Sequence, residues 1–155
     1  MQLPQVFGNH MILQAQASLP IWDIARPASE ITIQLGAETL KTTASNSGHW
    51  KVLFAPRAAT FTATTLLIQS GKERVILSDI LIGEVWVCAG QSNMEWAVRG
   101  ALNPKEEIAA ANHSQIRLFN VPGHTTSPIS KDSCPGNWSI CSSKSVSGFS
   151  AVGYF

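Results

Sequence analysis

From Met11 to about residue 82, every apolar run is short and is soon interrupted by turn-forming residues. A helix needs roughly ten or more residues of 3.6-residue periodicity, whereas a strand needs only about four to eight. The runs fall at residues 11–13, 19–24, 31–35, 50–54, 61–69 and 74–81, with a more polar stretch at 38–43. Ile31, Ile33 and Leu35 alternate with Thr32 and Gln34, the two-residue period of a half-buried strand. Ser45, Asn46, Ser47 and Gly48 form a strong turn signal, and Ser70, Gly71 and Lys72 form a second. Some seven short strands without a helix predict a small antiparallel β-sandwich, jelly-roll-like, over residues 1–82.

The pattern changes near residue 80. Residues 85–89 are continuously apolar, as expected of a strand covered on both faces, and Gly90 ends the run. Asn103 suits a helix N-cap, Pro104 the first helical position, and Glu106 the far side of a capping box. The helix is expected to run through Ala111, with Asn112 at its end. Residues 115–121 then read as a second strand, and strand–helix–strand opens a parallel α/β sheet. Residues 122–148, rich in Ser, Pro and Gly, are expected to form a long loop or tail, and residues 149–155 to open another helix. One helix and two strands do not make a two-sided sheet, so the second domain, 83–155, is expected to be incomplete.

Composition excludes several classes of function. Of 155 residues, 45% are apolar and 14% charged, enough for a buried core. Net charge is +1, from 11 basic and 10 acidic residues without a basic run, so neither nucleic acid nor a membrane surface is an expected partner. No apolar stretch reaches the ~18–20 residues of a membrane span. Residues 1–6 lack the features of a secretory signal, which predicts a cytoplasmic protein. A start lying further upstream would instead allow a secreted, periplasmic or lysosomal one.

Cys88, Cys134 and Cys141 contain no C-x-x-C pair, so zinc and thioredoxin chemistry have no support. Either Cys134 and Cys141 pair across a small loop, leaving Cys88 free, or all three are reduced. His10, His49, His113 and His124 are isolated, without metal-ligand spacing. Asn112 and Asn137 each begin an N-x-S triplet, which bears on glycosylation in a secreted eukaryotic protein. Trp22, Trp50 and Trp86 are expected in the core. Glu84 and Glu95 flank the segment that carries most chemical interest.

That segment runs from Gly83 to Trp96. Ser92 follows a buried strand and a Gly, and ligand sites in open α/β sheets lie beyond the carboxyl ends of strands. There a Ser hydroxyl can attack an acyl carbon while its own N–H faces the developing oxyanion. The segment is not a G-x-S-x-G elbow, because Met94 stands in the second Gly position. On the residues alone, a local capping role for Ser92 remains the competing reading.

Gly90, Gln91, Ser92, Asn93, Met94, Glu95 and Trp96, preceded by Val85, Trp86, Val87 and Cys88, resemble the nucleophile block of the sialate O-acetylesterase family, SGNH hydrolases. Residues 9–14, 48–50, 116–119 and 149–155 resemble further blocks of that family, in order. The resemblance implies the beginning of an α/β/α SGNH hydrolase domain after the β-sandwich. It implies an O-acetylated carbohydrate as substrate and a Ser–His–Asp triad without metal or other cofactor. Only the Ser transfers, onto Ser92. The family's Asp-x-x-His block has no counterpart, since none of Asp23, Asp79 and Asp132 is followed by His three positions later. Gln91, Asn93 and Trp96 are the expected substrate-binding residues, with Trp96 as the wall of the site. The chain alone is therefore expected to be inactive. The alternative is a non-catalytic carbohydrate-binding β-sandwich with a vestigial hydrolase tail. Nothing in the sequence sets an oligomeric state.

Overall fold

The computed structural model describes residues 1, 3–121 and 135–155. The first seven strands are β1 (Ile12–Gln14), β2 (Leu19–Ile24), β3 (Glu30–Leu35), β4 (Glu38–Thr43), β5 (His49–Phe54), β6 (Thr60–Ser70) and β7 (Glu73–Gly83). Alternation explains them. In β3, Ile31, Ile33 and Leu35 are fully buried, while Glu30, Thr32 and Gln34 face outward or lie half-buried. In β5, Trp50, Val52 and Phe54 point in and His49, Lys51 and Leu53 point out. A one-residue slip would exchange these faces, so the core itself fixes the register.

The strands form a five-stranded sheet in the order β1-β7-β6-β3-β4 and a two-stranded ribbon, β2-β5. One hydrophobic core takes residues from both. Leu19, Ile21 and Phe54 of the ribbon join Ile31, Ile33, Leu66, Ile68 and Ile80 of the larger sheet. Gly48 precedes β5 with φ +87°, a backbone that other residues rarely adopt. Its carbonyl accepts from Ala25 N at 2.9 Å, and an added Cβ would lie 2.5 Å from Ala25 O. One pairing departs from the antiparallel expectation. β1 runs parallel to β7, with Ile12 opposite Leu81 and Leu13 opposite Ile82. β3-β4 and β6-β7 are local hairpins, β3-β6 and β2-β5 pair across longer connections, and β1-β7 joins the two ends of the β unit.

Beyond β7 lie α1 (Pro104–Ala110), β8 (Asn112–Asn120), β9 (Asn137–Ser142), α2 (Ala151–Tyr154) and 3₁₀ turns at Ser92–Glu95, Val98–Gly100 and Val146–Gly148. Residues 85–89 do not form the expected buried strand. They have no regular structure, and Val85, Trp86 and Val87 are 39%, 85% and 87% exposed. Among the described residues no strand pairs with them, so their apolar pattern finds no partner. Trp86 is consequently outside the core, whereas Trp50 is buried and Trp22 packs edge-on to Phe7 at 4.6 Å.

β8 is also placed differently. It pairs antiparallel with β9, with Leu118 opposite Ser139 and Phe119 opposite Trp138, rather than entering a parallel sheet. β9 lies inside the stretch expected to be loop or tail. Trp138, Ile140 and Cys141 give it enough apolar surface to pair. The rest of that stretch, 122–134, lies outside the described residues, as do His124, Asp132 and Cys134. Cys141 is a free, buried thiol whose pKa is pushed up by burial. At the start of α1, Asn103 takes a left-handed backbone (φ 51°) and its side chain makes no capping hydrogen bond, so the expected capping box does not form.

A second cluster, Val98, Ala111, Leu118, Cys141, Val146 and Ala151, organises these elements. The β8-β9 hairpin docks on the β unit through Trp138, whose Nε1 donates to Val6 O at 2.7 Å, and through Gly136 N, which donates to Gln5 Oε1 at 2.8 Å. An ion pair completes the attachment. Arg117, its side chain 4% exposed, donates from Nη1 to Asp79 Oδ2 at 2.5 Å and from Nη2 to Asp79 Oδ1 at 3.2 Å. His10 Nδ1 shares Asp79 Oδ2 at 2.6 Å. No described helix is long and apolar enough to cross a membrane.

Candidate active site

The segment with Ser92 leaves β7 at Gly83 and is tethered at once. Gln14 Oε1 accepts from Val85 N at 3.0 Å, and Gln14 Nε2 donates to Glu84 Oε2 at 3.2 Å. After the unpaired stretch the chain closes into the 3₁₀ turn Ser92–Glu95. Gln91 is extended, at φ −131° and ψ 177°, and Met94 N donates to its carbonyl at 3.0 Å. Gly90 permits this closure, because a Cβ there would lie 3.2 Å from Met94 Cβ.

Ser92 has φ 49°, in the left-handed region. A non-glycine residue in that region is uncommon and costs on the order of 1 kcal/mol or more. The surrounding turn imposes it. Trp96 N donates to Asn93 O at 3.2 Å, Ala151 N donates to Trp96 O at 2.7 Å, and Val98 N donates to Phe149 O at 3.0 Å. Ser150 Oγ donates to Met94 Sδ at 3.4 Å, tying the turn to the N-terminus of α2.

The structure brings all four sequence-predicted site residues into this one turn. Gln91, Ser92, Asn93 and Trp96 are all exposed, Trp96 at 57%. The Trp96 indole lies over Gly100, whose added Cβ would sit 3.0 Å from Nε1. Among the described residues the Ser92 hydroxyl has no hydrogen-bond partner. His10 is engaged with Asp79, His113 Nε2 lies 3.4 Å from Tyr154 OH, and His49 is on β5. No group of three or more His, Cys, Asp or Glu able to hold a metal occurs among the described residues.

The Asp79 cluster is the feature that sequence reasoning missed. Arg117 and His10 together hold the Asp79 carboxyl down to about 2, the Arg117 hydrogen bonds being the larger cause. His10 and Asp79 are both in the left-handed backbone region, at φ 67° and 56°. The available signal was Arg117 itself, a charge standing inside the apolar run from Ile116 to Phe119.

No protein-family model matches the chain. Among solved structures it superposes on a carbohydrate acetylesterase from Xanthomonas citri with a TM-score of 0.93 and 30% identity, covering 99% of this chain and 35% of that one. Fold and sequence thus relate it to the carbohydrate acetylesterases. The mouse (Mus musculus) sialate O-acetylesterase is 31% identical over 126 residues, 73% of this chain and 23% of that protein. The human (Homo sapiens) sialate O-acetylesterase is 30% identical over 128 residues, 74% of this chain and 24% of that protein. The chain is a homologue of the sialate O-acetylesterases, and it spans about a quarter of the length of these curated relatives.

Proposed function

We propose that this chain carries the nucleophile of a carbohydrate O-acetyl esterase of the sialate O-acetylesterase type, and that Ser92 is that nucleophile. The observation that carries the reading is the left-handed backbone of Ser92, held by a turn just beyond the last strand of the β unit. Strained backbone of this kind clusters at reactive positions. The names of the homologues support the reaction class.

In the proposed reaction, Ser92 Oγ attacks the acetyl carbonyl carbon of the ester. The tetrahedral intermediate expels the sugar hydroxyl and leaves an acetyl-enzyme, which water then hydrolyses to acetate. The exposed Trp96 indole offers a stacking face for a sugar ring, and the Gln91 and Asn93 amides offer hydrogen bonds to its hydroxyls. The reaction needs no cofactor. A Ser hydroxyl is a weak nucleophile without a base, and none of the described histidines bonds to it. We propose accordingly that this chain alone is inactive, since loss of a triad partner costs ~10⁴-fold or more. Two hydrophobic clusters support a division into a jelly-roll-like β-sandwich over 1–82 and the beginning of an SGNH hydrolase domain over 83–155.

The test uses the chain alone and the chain fused to the part of the Xanthomonas acetylesterase that it does not span. Acetate release from O-acetylated sugars is expected from the fusion and not from the chain alone. Ser92→Ala is expected to abolish both release and labelling by a fluorophosphonate. Turnover by the Ser92→Ala fusion would exclude Ser92 as nucleophile, and Ser92-dependent turnover by the chain alone would refute its inactivity.

A further inference from the structure

Resting on that reading, we infer that Ser150 is a positioning residue for the esterase reaction: acting through Met94, it holds Ser92 in its left-handed backbone. The reactive turn closes with Met94 N on Gln91 O at 3.0 Å, which leaves Ser92 and Asn93 as its two central residues. Of the two, only Ser92 has a positive φ, at 49°. A turn of that pattern ordinarily takes Gly at its first central position. With Ser there, the chain favours a right-handed turn unless the ends of this one are fixed.

Met94 is the fixed end. Its side chain is caught between Gly90, where an added Cβ would lie 3.2 Å from Met94 Cβ, and Ser150, whose Oγ donates to Met94 Sδ at 3.4 Å. Ser150 is firmly seated itself. It bridges to Ala97 in antiparallel fashion, its carbonyl accepts from Tyr154 N at 3.0 Å, and the next amide, Ala151 N, donates to Trp96 O at 2.7 Å. Ala151 is buried, so this seat belongs to the second hydrophobic cluster and not to the surface.

Helix capping does not account for the whole of this arrangement. Ser150 Oγ accepts from Gly153 N at 3.3 Å and so caps α2, but a cap uses the oxygen only as an acceptor. A hydroxyl also has one proton to donate, and here it goes to Met94. One side chain therefore joins α2 to the last residue of the Ser92 turn, two positions from the nucleophile. Substitution separates the two tasks. Ser150→Ala loses both bonds and Ser150→Thr keeps both. Met94→Leu removes only the sulfur, at nearly constant volume, and leaves the cap in place.

In the fusion, Ser150→Ala and Met94→Leu should each lower kcat for acetate release about 5- to 10-fold, the effect of one ordinary hydrogen bond. KM should stay within about twofold, because the proposed sugar contacts belong to Gln91, Asn93 and Trp96. Ser150→Thr should restore kcat. The double variant should be no slower than the slower single one, since both substitutions break the same contact. Losses that multiply, an unchanged kcat, or a raised KM with kcat intact would each overturn the inference. Amide exchange in the chain alone gives an answer independent of catalysis. Met94→Leu should speed exchange about 5- to 10-fold at Val98 and Ala151, whose amides clamp the turn, and leave β3 unchanged. If that loosening occurs while the Ser92→Ala fusion still turns over, the nucleophile reading falls and the hold of Ser150 on the turn stands. Unchanged exchange at Val98 and Ala151 would sink the inference whatever the fusion does, and so would equal loosening of β3.

Discussion

Replacing Asp79 by Asn removes one charge and little else. Asn tolerates the left-handed backbone at this position (φ 56°) and can still accept a hydrogen bond, so the substitution isolates the ion pair from backbone strain. The carboxyl is held down to about 2 by Arg117 and His10. Relative to an ordinary carboxyl near ~3.9, that corresponds to about 2–3 kcal/mol when the group is ionised. Asp79 keeps 31% side-chain exposure, so solvent screening reduces the figure to about 1–2 kcal/mol. Loss of the carboxylate also leaves the Arg117 charge, only 4% exposed, without its counter-ion. Breaking a fully buried pair costs about 3–5 kcal/mol, and this half-buried one should cost less. We expect Asp79→Asn to weaken docking of the β8-β9 hairpin by about 2 kcal/mol. The measurement is amide exchange across residues 112–120 and 137–142, with β3 as internal control. The pH dependence fixes the cause. The folded pKa lies below the unfolded one, so the contribution is complete above about pH 5 and fades as pH falls toward 2. The difference between wild type and Asp79→Asn should therefore vanish in acid. A difference under ~0.5 kcal/mol at pH 7, or one that persists at pH 2, would refute this account of the hairpin's attachment.

Other consequences are equally direct. Ser92→Gly relieves the left-handed strain (φ 49°) and should leave thermal stability equal or raise it by up to about 1 kcal/mol, as calorimetry can measure; a clear loss would show that the turn imposes no strain. Gly48→Ala combines a positive φ with a contact 2.5 Å from Ala25 O and should cost about 2 kcal/mol or more in urea unfolding. Trp138→Phe keeps a ring beside Phe119 but loses the 2.7 Å bond to Val6 O; about 1 kcal/mol should disappear from hairpin protection.

The β unit was legible because a period of two writes burial directly into sequence. Ile31, Ile33 and Leu35 announce both their strand and their buried face, and Ser45 to Gly48 announce the turn before β5. Partnership was less legible. No local pattern tells β1 to lie beside β7, or Arg117 to reach Asp79 across 38 residues. Residues 85–89 show the same limit from the other side. Their pattern states which environment the segment favours, and the described residues do not supply it. β9 escaped notice because the Ser, Pro and Gly around it dominate the composition of 122–148. At the candidate site, the placement of Ser92 after Gly90 was readable, but the 3₁₀ turn at Ser92–Glu95 was not. The base that would activate Ser92 was not, because such partners are neighbours in space and not in sequence.

The parallel β1–β7 pair also imposes an order of events during synthesis. Ile12 is made early, but its partner Leu81 follows almost seventy residues later. The β3-β4 and β6-β7 hairpins can close soon after they are made. β1 must wait, because closing so long a loop costs chain entropy that the hairpins avoid. When Leu81 arrives, the sheet gains its last neighbour and the β unit is complete. The turn bearing Ser92 follows directly on β7 in the chain, so the two are delivered together. A chain that ends short of residue 81 leaves β6 with an open sheet edge and lacks the reactive turn as well.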